Sequence, residues 1–493
     1  MKIWAVAAAL SVGAAVGACS FAPVYQTPPS ARAPEAYREV GDWKEARPAD
    51  SEPRGNWWGV FHDPTLDALE GRVTESNQDL KAALARLEQA RAATRVARAA
   101  YFPTINAAPS ATRARTSINS PTYVATKPAT YDTFLAEADV SYEADLWGRI
   151  RNSVSAAKAG EQASAADLAS FEVSTQAELA IDYFALRSED AQQELLDRTV
   201  ADYARALELT QNLYNGGAAP IADLEQARAQ LETARTQAAE VRLHRAETEH
   251  AIAVLVGETA SAFRLDPRPL PASVSPPVID PGLPSSLLER RPDVAAAERR
   301  VAEANARIGV ARAAYFPVFG LLGAAGFEST STSNWIGAPS QLWSIGPAAL
   351  LTVFDGGLRR AQTASARAAY DEQVADYRST VLRAYQEVED NLAALHELQQ
   401  ESASEAAAVA ATQGVLEQAQ YRYQGGLVTY LEVVAAENAA LAARLSAVDI
   451  QVRRMTASVS LVRALGGGWN ASATVGNPLS AGRSPSEAAT PRG

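Results

Sequence analysis

The chain repeats itself. Residues 79–103 read DLKAALARLEQARAATRVARAAYFP and residues 293–317 read DVAAAERRVAEANARIGVARAAYFP, an offset of 214 with the last eight letters identical. Further on, Tyr214-Asn215-Gly216-Gly217 returns as Tyr423-Gln424-Gly425-Gly426 at an offset of 209, and Leu255-Val256-Gly257 returns as Ala464-Leu465-Gly466. Ordered landmarks of this length mark a tandem duplication, so a fold that suits one half must also suit the other. Seven prolines between Asp266 and Ser285 part the halves and exclude continuous helix there. The resulting division is an N-terminal segment at 19–62, a first repeat at 63–266, a Pro-rich linker at 267–285, a second repeat at 286–469 and a Ser/Gly/Pro/Ala-rich tail, expected to be flexible, at 470–493.

Within each half the apolar period switches twice. Residues 78–100 and 292–314 are rich in Ala, Arg, Glu and Gln and read as helix, closed by Tyr-Phe-Pro, where proline stops propagation. From Thr133 to Leu146 the period is two: Phe134, Ala136, Ala138, Val140, Tyr142, Ala144 and Leu146 on one face, Thr133, Glu137, Asp139, Ser141, Glu143 and Asp145 on the other. The second half answers with Phe319, Leu321, Ala325 and Phe327, then with Trp343, Ile345, Ala349, Leu351 and Val353. With a weaker strand at 104–118 this predicts four strands, as hairpins 103–147 and 317–355 whose tips fall near 119–131 and 329–341. Proline-free stretches at 149–214 and 357–424 predict helices of roughly 100 Å each at about 1.5 Å per residue. Val374, Tyr377, Val381, Ala384, Val388, Asn391 and Leu395 form a seam of alternating threes and fours. Each long helix ends at a Gly-Gly pair, Gly216-Gly217 or Gly425-Gly426, and reverses into a second helix at 220–257 or 429–465, because glycine accepts the left-handed cap a reversal needs.

The N-terminus resembles a secretory signal. Lys2 precedes an apolar run from Ile3 to Val16, and the small residues Val16-Gly17-Ala18 stand before Cys19. The run is shorter than the about 20 residues a bilayer-spanning helix needs. Small residues before a cysteine look like a bacterial lipobox, which makes 1–18 a lipoprotein signal peptide and Cys19 the lipidated first residue of the mature chain; an ordinary signal containing a cysteine is the plainer alternative. Ser20 at the next position resembles lipoproteins forwarded to the outer membrane. No other apolar run has transmembrane-helix length, so a membrane crossing would have to be made by strands.

Composition closes off other classes. Lys plus Arg is 45 against 57 Asp plus Glu, a net charge of −12 without a basic run, which disfavours nucleic acid. A single cysteine excludes an intrachain disulfide, and with four His and two Met there is little to ligate a metal; no cofactor is expected. Four strands cannot close a barrel, since the smallest have about eight, and open edges in lipid leave backbone groups unsatisfied. Other copies must then complete the sheet, two giving eight strands, three twelve and four sixteen, although a soluble β-sandwich with one wet face shows the same alternation.

Five segments resemble the TolC-like outer-membrane efflux factors, in particular the lipoprotein subgroup similar to OprM that serves RND (resistance-nodulation-division) pumps. They are Cys19-Ser-Phe-Ala-Pro-Val-Tyr25, Trp57-Trp-Gly-Val-Phe-His-Asp-Pro-Thr-Leu66, Leu288-Glu-Arg-Arg-Pro-Asp293, Phe354-Asp-Gly-Gly357 and Ala464-Leu-Gly-Gly-Gly-Trp469. The resemblance implies a mixed fold of α-helix and transmembrane β-barrel: a homotrimer with a twelve-stranded outer-membrane barrel, a twelve-helix periplasmic tunnel, and a collar built from the N-terminal segment, the linker and the C-terminal end. It implies a lipid-anchored, barrel-inserted protein of the outer membrane that extends into the periplasm. Its partners would be outer-membrane lipid, a periplasmic adaptor and an inner-membrane RND pump, and it would catalyse nothing, serving as a passive duct.

In that family, rings of acidic residues line a constriction beyond each helix-hairpin turn. Asp223 follows Gly217 by six and Glu432 follows Gly426 by six, so the resemblance makes them gate candidates, with Arg422, Tyr214 and Tyr423 as latch contacts. The alternative for both acids is a solvated first turn favoured by the helix dipole. Val428 stands where some relatives carry a basic partner and Ala435 where they carry a second acid. A type I secretion or metal-export duct of the same family, and a lipid-anchored surface enzyme or adhesin on a helical stalk, are the alternative functions. Ser155-Ala-Ala-Lys158 fits an S-x-x-K pattern, but it lies in an Ala-rich helix without K-T-G or S-D-N. His244 and His250 lack an H-E-x-x-H arrangement.

Overall fold

The alternating stretches form one antiparallel sheet, built from β1 (Thr104–Ala107), β2 (Ser110–Arg115), β3 (Thr130–Ala144), β4 (Val318–Ser329) and β5 (Gln341–Leu350). The protein is seen in a computed structural model that describes residues 20–29, 54–121, 124, 129–271, 274–277, 279 and 290–467. β1 and β2 both pair with β3 in one register, Ala107 opposite Ala138 and Ser110 opposite Leu135. They are a single strand whose ladder is interrupted at Pro109, which has no N–H to donate. β3 pairs with β4 and β4 with β5, so the edges are β1/β2 on one side and β5 on the other. Pro109 lies within one edge and Pro347 in the other, where proline is tolerated.

The register decides which residues share a face. Ile105 lies opposite Val140, Val140 opposite Gly323 and Gly323 opposite Ile345; Ala138 lies opposite Ala325, and Ala325 opposite Trp343. Directly opposed residues point the same way, so the even positions of 134–144 share one face with the odd positions of 319–327 and 341–349. Leu351 and Val353, expected on this face, lie beyond the last residue of β5, Leu350. Glu137 and Asp139 point to the other face, where they oppose Gly326 and Ala324. Gly326 is required there: a Cβ would come within 2.2 Å of the Ala136 carbonyl oxygen.

The helices are α1 (Pro64–Ser76), α2 (Gln78–Ala99), α3 (Arg149–Asn215), α4 (Ile221–Leu255), α5 (Pro292–Ala313), α6 (Leu358–Gln424) and α7 (Tyr430–Ala464), after a 3-10 turn at Arg54–Phe61. α3 and α6 each have 67 residues, and α4 and α7 each have 35. On α6, Tyr377, Val381, Ala384 and Val388 of the expected seam are buried. α1 escapes the periodicity reading, yet its signal is present: Asp63 caps it by accepting from the Thr65 and Leu66 N–H groups, and Pro64 occupies the first turn. Among the described residues no helix is long and apolar enough to cross a membrane.

The chain divides into two compact units, one within Met1–Pro29, Arg86–Ser164 and Ala297–Tyr377, the other within Ser30–Ala85, Ala165–Ala296 and Arg378–Gly493. In the first, residues 20–25 run along α5 as a strap. Arg312 donates to the Phe21 carbonyl at 3.3 Å, Asn305 to the Pro23 carbonyl at 2.9 Å, and the Tyr25 hydroxyl to the Glu298 carboxylate. Gly309 makes the approach possible, since a Cβ there would lie 2.7 Å from that of Ala22 and 2.6 Å from Asn152 Nδ2. The Phe21 ring stacks on Phe316 at 4.3 Å, and Phe316 on Trp147 at 5.0 Å, whose indole N–H donates to the Pro317 carbonyl.

The second unit is built round a core of Trp57, Leu66, Leu69, Val73, Leu179, Tyr183, Phe184, Ile252, Met455 and Val459. The start of the linker is pinned to α3 and α4. Asp190, buried between Arg187 and Arg245, accepts the Arg268 backbone N–H at 2.8 Å, Arg187 and Arg245 donate to the carbonyls of Asp266 and Leu265, and Glu249 accepts the Leu265 N–H. The described residues of the linker form no helix or strand.

Candidate functional site

Cys19 lies outside the described residues, as does the signal segment before it. The residues after Cys19 are well tied: Ser20 donates to Asn152 at the start of α3 at 3.0 Å, and Phe21 enters the aromatic stack beside Trp147 and Phe316, immediately after β3 and before β4.

The helix-hairpin ends carry the remaining candidates. Both reversals are Schellman motifs: Ala218 N–H donates to the Leu213 carbonyl and Gly217 to Tyr214, while Leu427 donates to Arg422 and Gly426 to Tyr423. Gly217 and Gly426 adopt φ of +73° and +70°, which a side chain would strain. Gly216 and Gly425 precede them as the last positions of each cap, donating to Asn212 and Tyr421. Helices α4 and α7 start after Pro220 and Thr429, with no side-chain cap on either, and this places Asp223 and Glu432 alike at the third helical position.

Their surroundings differ. Glu432 is exposed and pairs with Arg422 at 3.4 Å across the turn. Asp223 is half-buried and forms no ion pair among the described residues. Its carboxylate instead faces two phenols, Tyr423 and Tyr430, whose rings lie 5.3 Å apart. Burial, and then the negative charge of Asp223, push the Tyr423 hydroxyl above the usual tyrosine range; in Tyr430 burial comes first and Glu437, Tyr423, Tyr203 and Asp223 add to it. Thus the fold pairs Arg422 with Glu432 and sets Tyr423 near enough to Asp223 to feel its charge. Tyr214 stays exposed and contributes its carbonyl to the turn. The asymmetry lies in the sequence: positions equivalent to Arg422 and Tyr430 are Leu213 and Ile221 in the first repeat.

Behind these ends lies a polar cluster that pattern reading does not reveal. Gln230 of α4 donates to Asn438 of α7 at 2.6 Å and to the Tyr203 hydroxyl of α3 at 3.1 Å. Glu437, next to Asn438, is 8% exposed, and its Oε2 is buried without a hydrogen-bond partner among the described residues. Burial, reinforced by Asp202, raises its carboxyl to about 7. Among the described residues no group of three or more His, Cys, Asp or Glu is placed to hold a metal.

The family model of outer membrane efflux proteins matches residues 70–258 and again 283–467. The chain is 34% identical over 482 residues to the probable efflux pump outer membrane protein SepC of Pseudomonas putida, covering 95% of this chain and 98% of that one. It is 33% identical over 473 residues to outer membrane protein OprJ of Pseudomonas aeruginosa, covering 94% and 95%. Among solved structures, the outer-membrane channel OprN superposes with a TM-score of 0.81 at 30% identity, over 92% of this chain and all (100%) of that one. The CmeC outer membrane channel of Campylobacter jejuni gives 0.84 at 25% identity, over 92% and 96%. The mixture of long helices with a few strands is therefore that of the efflux channels, and with two family matches spanning both repeats the chain belongs to the outer membrane efflux protein family.

Proposed function

We infer that the protein is the outer-membrane channel of a tripartite efflux system, a passive duct for small molecules that a periplasmic adaptor and an inner-membrane pump deliver. The observation that carries this is the register of the sheet. It sets Val140, Ile345 and Trp343 on one face and Glu137 and Asp139 on the other, and it leaves both sheet edges unpaired. An apolar face, an acidic face and two open edges are what one third of a twelve-stranded barrel requires, with lipid outside and water within. Aromatic residues gather at both ends of the apolar face. Phe134 packs on Trp335 in the β4–β5 connection at 5.8 Å, and Tyr142 and Phe319 stand at the other end. Tyr142 follows Phe134 by eight positions. That is about 27 Å along a strand, or about 21 Å of height at a tilt of about 40°, close to the apolar band of outer-membrane barrels.

The tandem repeat would then supply four helical hairpin arms per trimer third, twelve in all, as the wall of a periplasmic tunnel. Asp223 and Glu432 would sit round its far opening, six carboxylates in a trimer. Glu432 has an intrachain cation in Arg422, while Asp223 has phenols for neighbours, so Asp223 is the acid left to attract a cation from outside the chain. Cys19, two residues before the Phe21 stack, would place its acyl chains near the base of the sheet. The relatives include proteins named for toluene, solvent and antibiotic efflux, which supports apolar and amphiphilic organic compounds as cargo. The test is complementation. A host lacking its own outer-membrane efflux channel but keeping the adaptor and pump, given this chain, should regain resistance to such compounds. Resistance unchanged, with trimers present in the outer membrane, would overturn the efflux reading.

A further inference from the structure

The helix-hairpin ends are tied together through the seam between α4 and α7, which pack against each other behind the turns. Ala227 of α4 meets Tyr430, Val433 and Ala436 of α7 in one apolar cluster, and the Gln230–Asn438 bond spans the same seam a turn further on. Glu437 is the discordant member. It lies on α7 between the apolar cluster and Asn438, and its Oε2 is buried with no donor among the described residues. From α3 it faces Asp202 and Tyr203, and from its own helix Tyr430; on the α4 side the polar group is the neutral Gln230. Two cations stand in the neighbourhood: Arg205 pairs with Asp202 on the exposed side of α3, and Arg444 lies near Tyr203 and donates to Gln413. Ionised Glu437 thus has a buried oxygen without a donor, two phenols beside it and an Arg205-paired carboxylate beyond, and no ion pair of its own among the described residues.

We propose that Glu437 is a proton-controlled wedge, which lets the α4–α7 seam close when it carries a proton and drives the seam, and with it the hairpin ends, apart when it is ionised. This rests on the reading of the protein as a duct. The sign follows from linkage. A carboxyl raised to about 7 in the closed seam and free to titrate near the ordinary 4.5 in a hydrated, open one binds its proton more tightly when closed. The closed form therefore has its full advantage below pH 4.5, keeps the carboxyl neutral up to about 7, and becomes tenfold less favoured relative to the open form for each pH unit between the two values. Asp223 and Glu432 are separated from this effect by their position outside the apolar cluster, Glu432 on Arg422 and Asp223 beside Tyr423.

Full-length protein in planar bilayers tests it, with pH on the hairpin side varied from 5 to 8.5. Open probability of the parent should climb between pH 5 and 7 by up to tenfold per unit and level off above. Glu437→Gln, neutral at every pH, should lose that climb and stay at the parent's acid-side value. The Asp223→Asn/Glu432→Gln double variant should keep it. A climb that persists in Glu437→Gln, or that vanishes in the double variant while Glu437→Gln retains it, overturns the proposal. So does a parent that conducts at constant open probability across the range. A parent that conducts at no pH overturns the duct reading and this proposal with it. Infrared difference spectra supply a readout independent of conductance: the protonated-carboxyl band should bleach with a midpoint near 7 in the parent and be missing from Glu437→Gln.

Discussion

Glu70 offers a sharp test of how the helical unit is held. It lies on α1 between Leu66 and Val73, is fully buried, and neither carboxylate oxygen has a hydrogen-bond partner among the described residues. Burial, with a smaller contribution from Asp67, raises the carboxyl from the ordinary 4.5 to about 9. A raised acid keeps its proton in the folded state while the unfolded chain loses it, so stability is fully present below pH 4.5 and declines as pH climbs towards 9. At about 1.36 kcal/mol per pH unit, the decline from pH 5 to pH 8 is about 4 kcal/mol per chain. Glu70→Gln removes that slope. The amide brings buried N–H donors, which cost about 1–3 kcal/mol, so the variant should be less stable than the parent at pH 5 and match or exceed it at pH 8. Guanidinium unfolding of the detergent-solubilised protein, followed by helical circular dichroism at several pH values, reads the difference. A parent-to-variant gap that is constant from pH 5 to pH 8 would refute a neutral, buried Glu70.

Other perturbations reach separate parts of the molecule. Gly309→Val should lift the 20–25 strap from α5, since even a Cβ meets Ala22 and Asn152 at contact distances below 3 Å; faster proteolysis N-terminal to Trp57 with the helical signal unchanged is the expected result. Cys19→Ser should abolish incorporation of labelled palmitate while trimers still form, because in the proposed barrel the strands would supply most of the membrane affinity; undiminished label would remove Cys19 as the lipidation site. In the proposed trimer, replacing Asp223 and Glu432 together by Ala would remove six negative charges from the constriction and should lower cation selectivity in reversal-potential measurements, since charges within a Debye length of about 8–10 Å act on a permeating ion.

Much of the backbone is legible in the residues because it depends on local rules. A period of two gives β3 and its facing partners, proline ends α2 before Pro103, and Gly-Gly pairs end α3 and α6 within a residue or two of where the helices stop. The interruption between β1 and β2 is equally local, for Pro109 cannot donate to the ladder. What the sequence leaves silent is remote. The strap depends on Gly309 lying under Ala22, a pairing without any signal in either segment. The Gln230–Asn438 bond joins residues 208 apart in sequence, and a buried Glu437 has the same one-letter appearance as the exposed Glu432. Offset counting puts Asp223 and Glu432 at equivalent positions, and the fold agrees; their different environments go with Leu213 and Ile221 in the first repeat at the positions that Arg422 and Tyr430 hold in the second.

The central claim is that three copies of this sheet close a barrel with the Val140 face towards lipid. It is tested most directly by a pair of neighbouring arginines, Val140→Arg and Ser141→Arg, with trimer yield in outer-membrane fractions as the readout. Arginine on the lipid face near the midplane costs about 2–4 kcal/mol per chain, whereas on a watery face it costs little. Val140→Arg should therefore lose most of its trimer and Ser141→Arg should keep it; equal yields from the two, or loss at Ser141 alone, would contradict the orientation and with it the barrel.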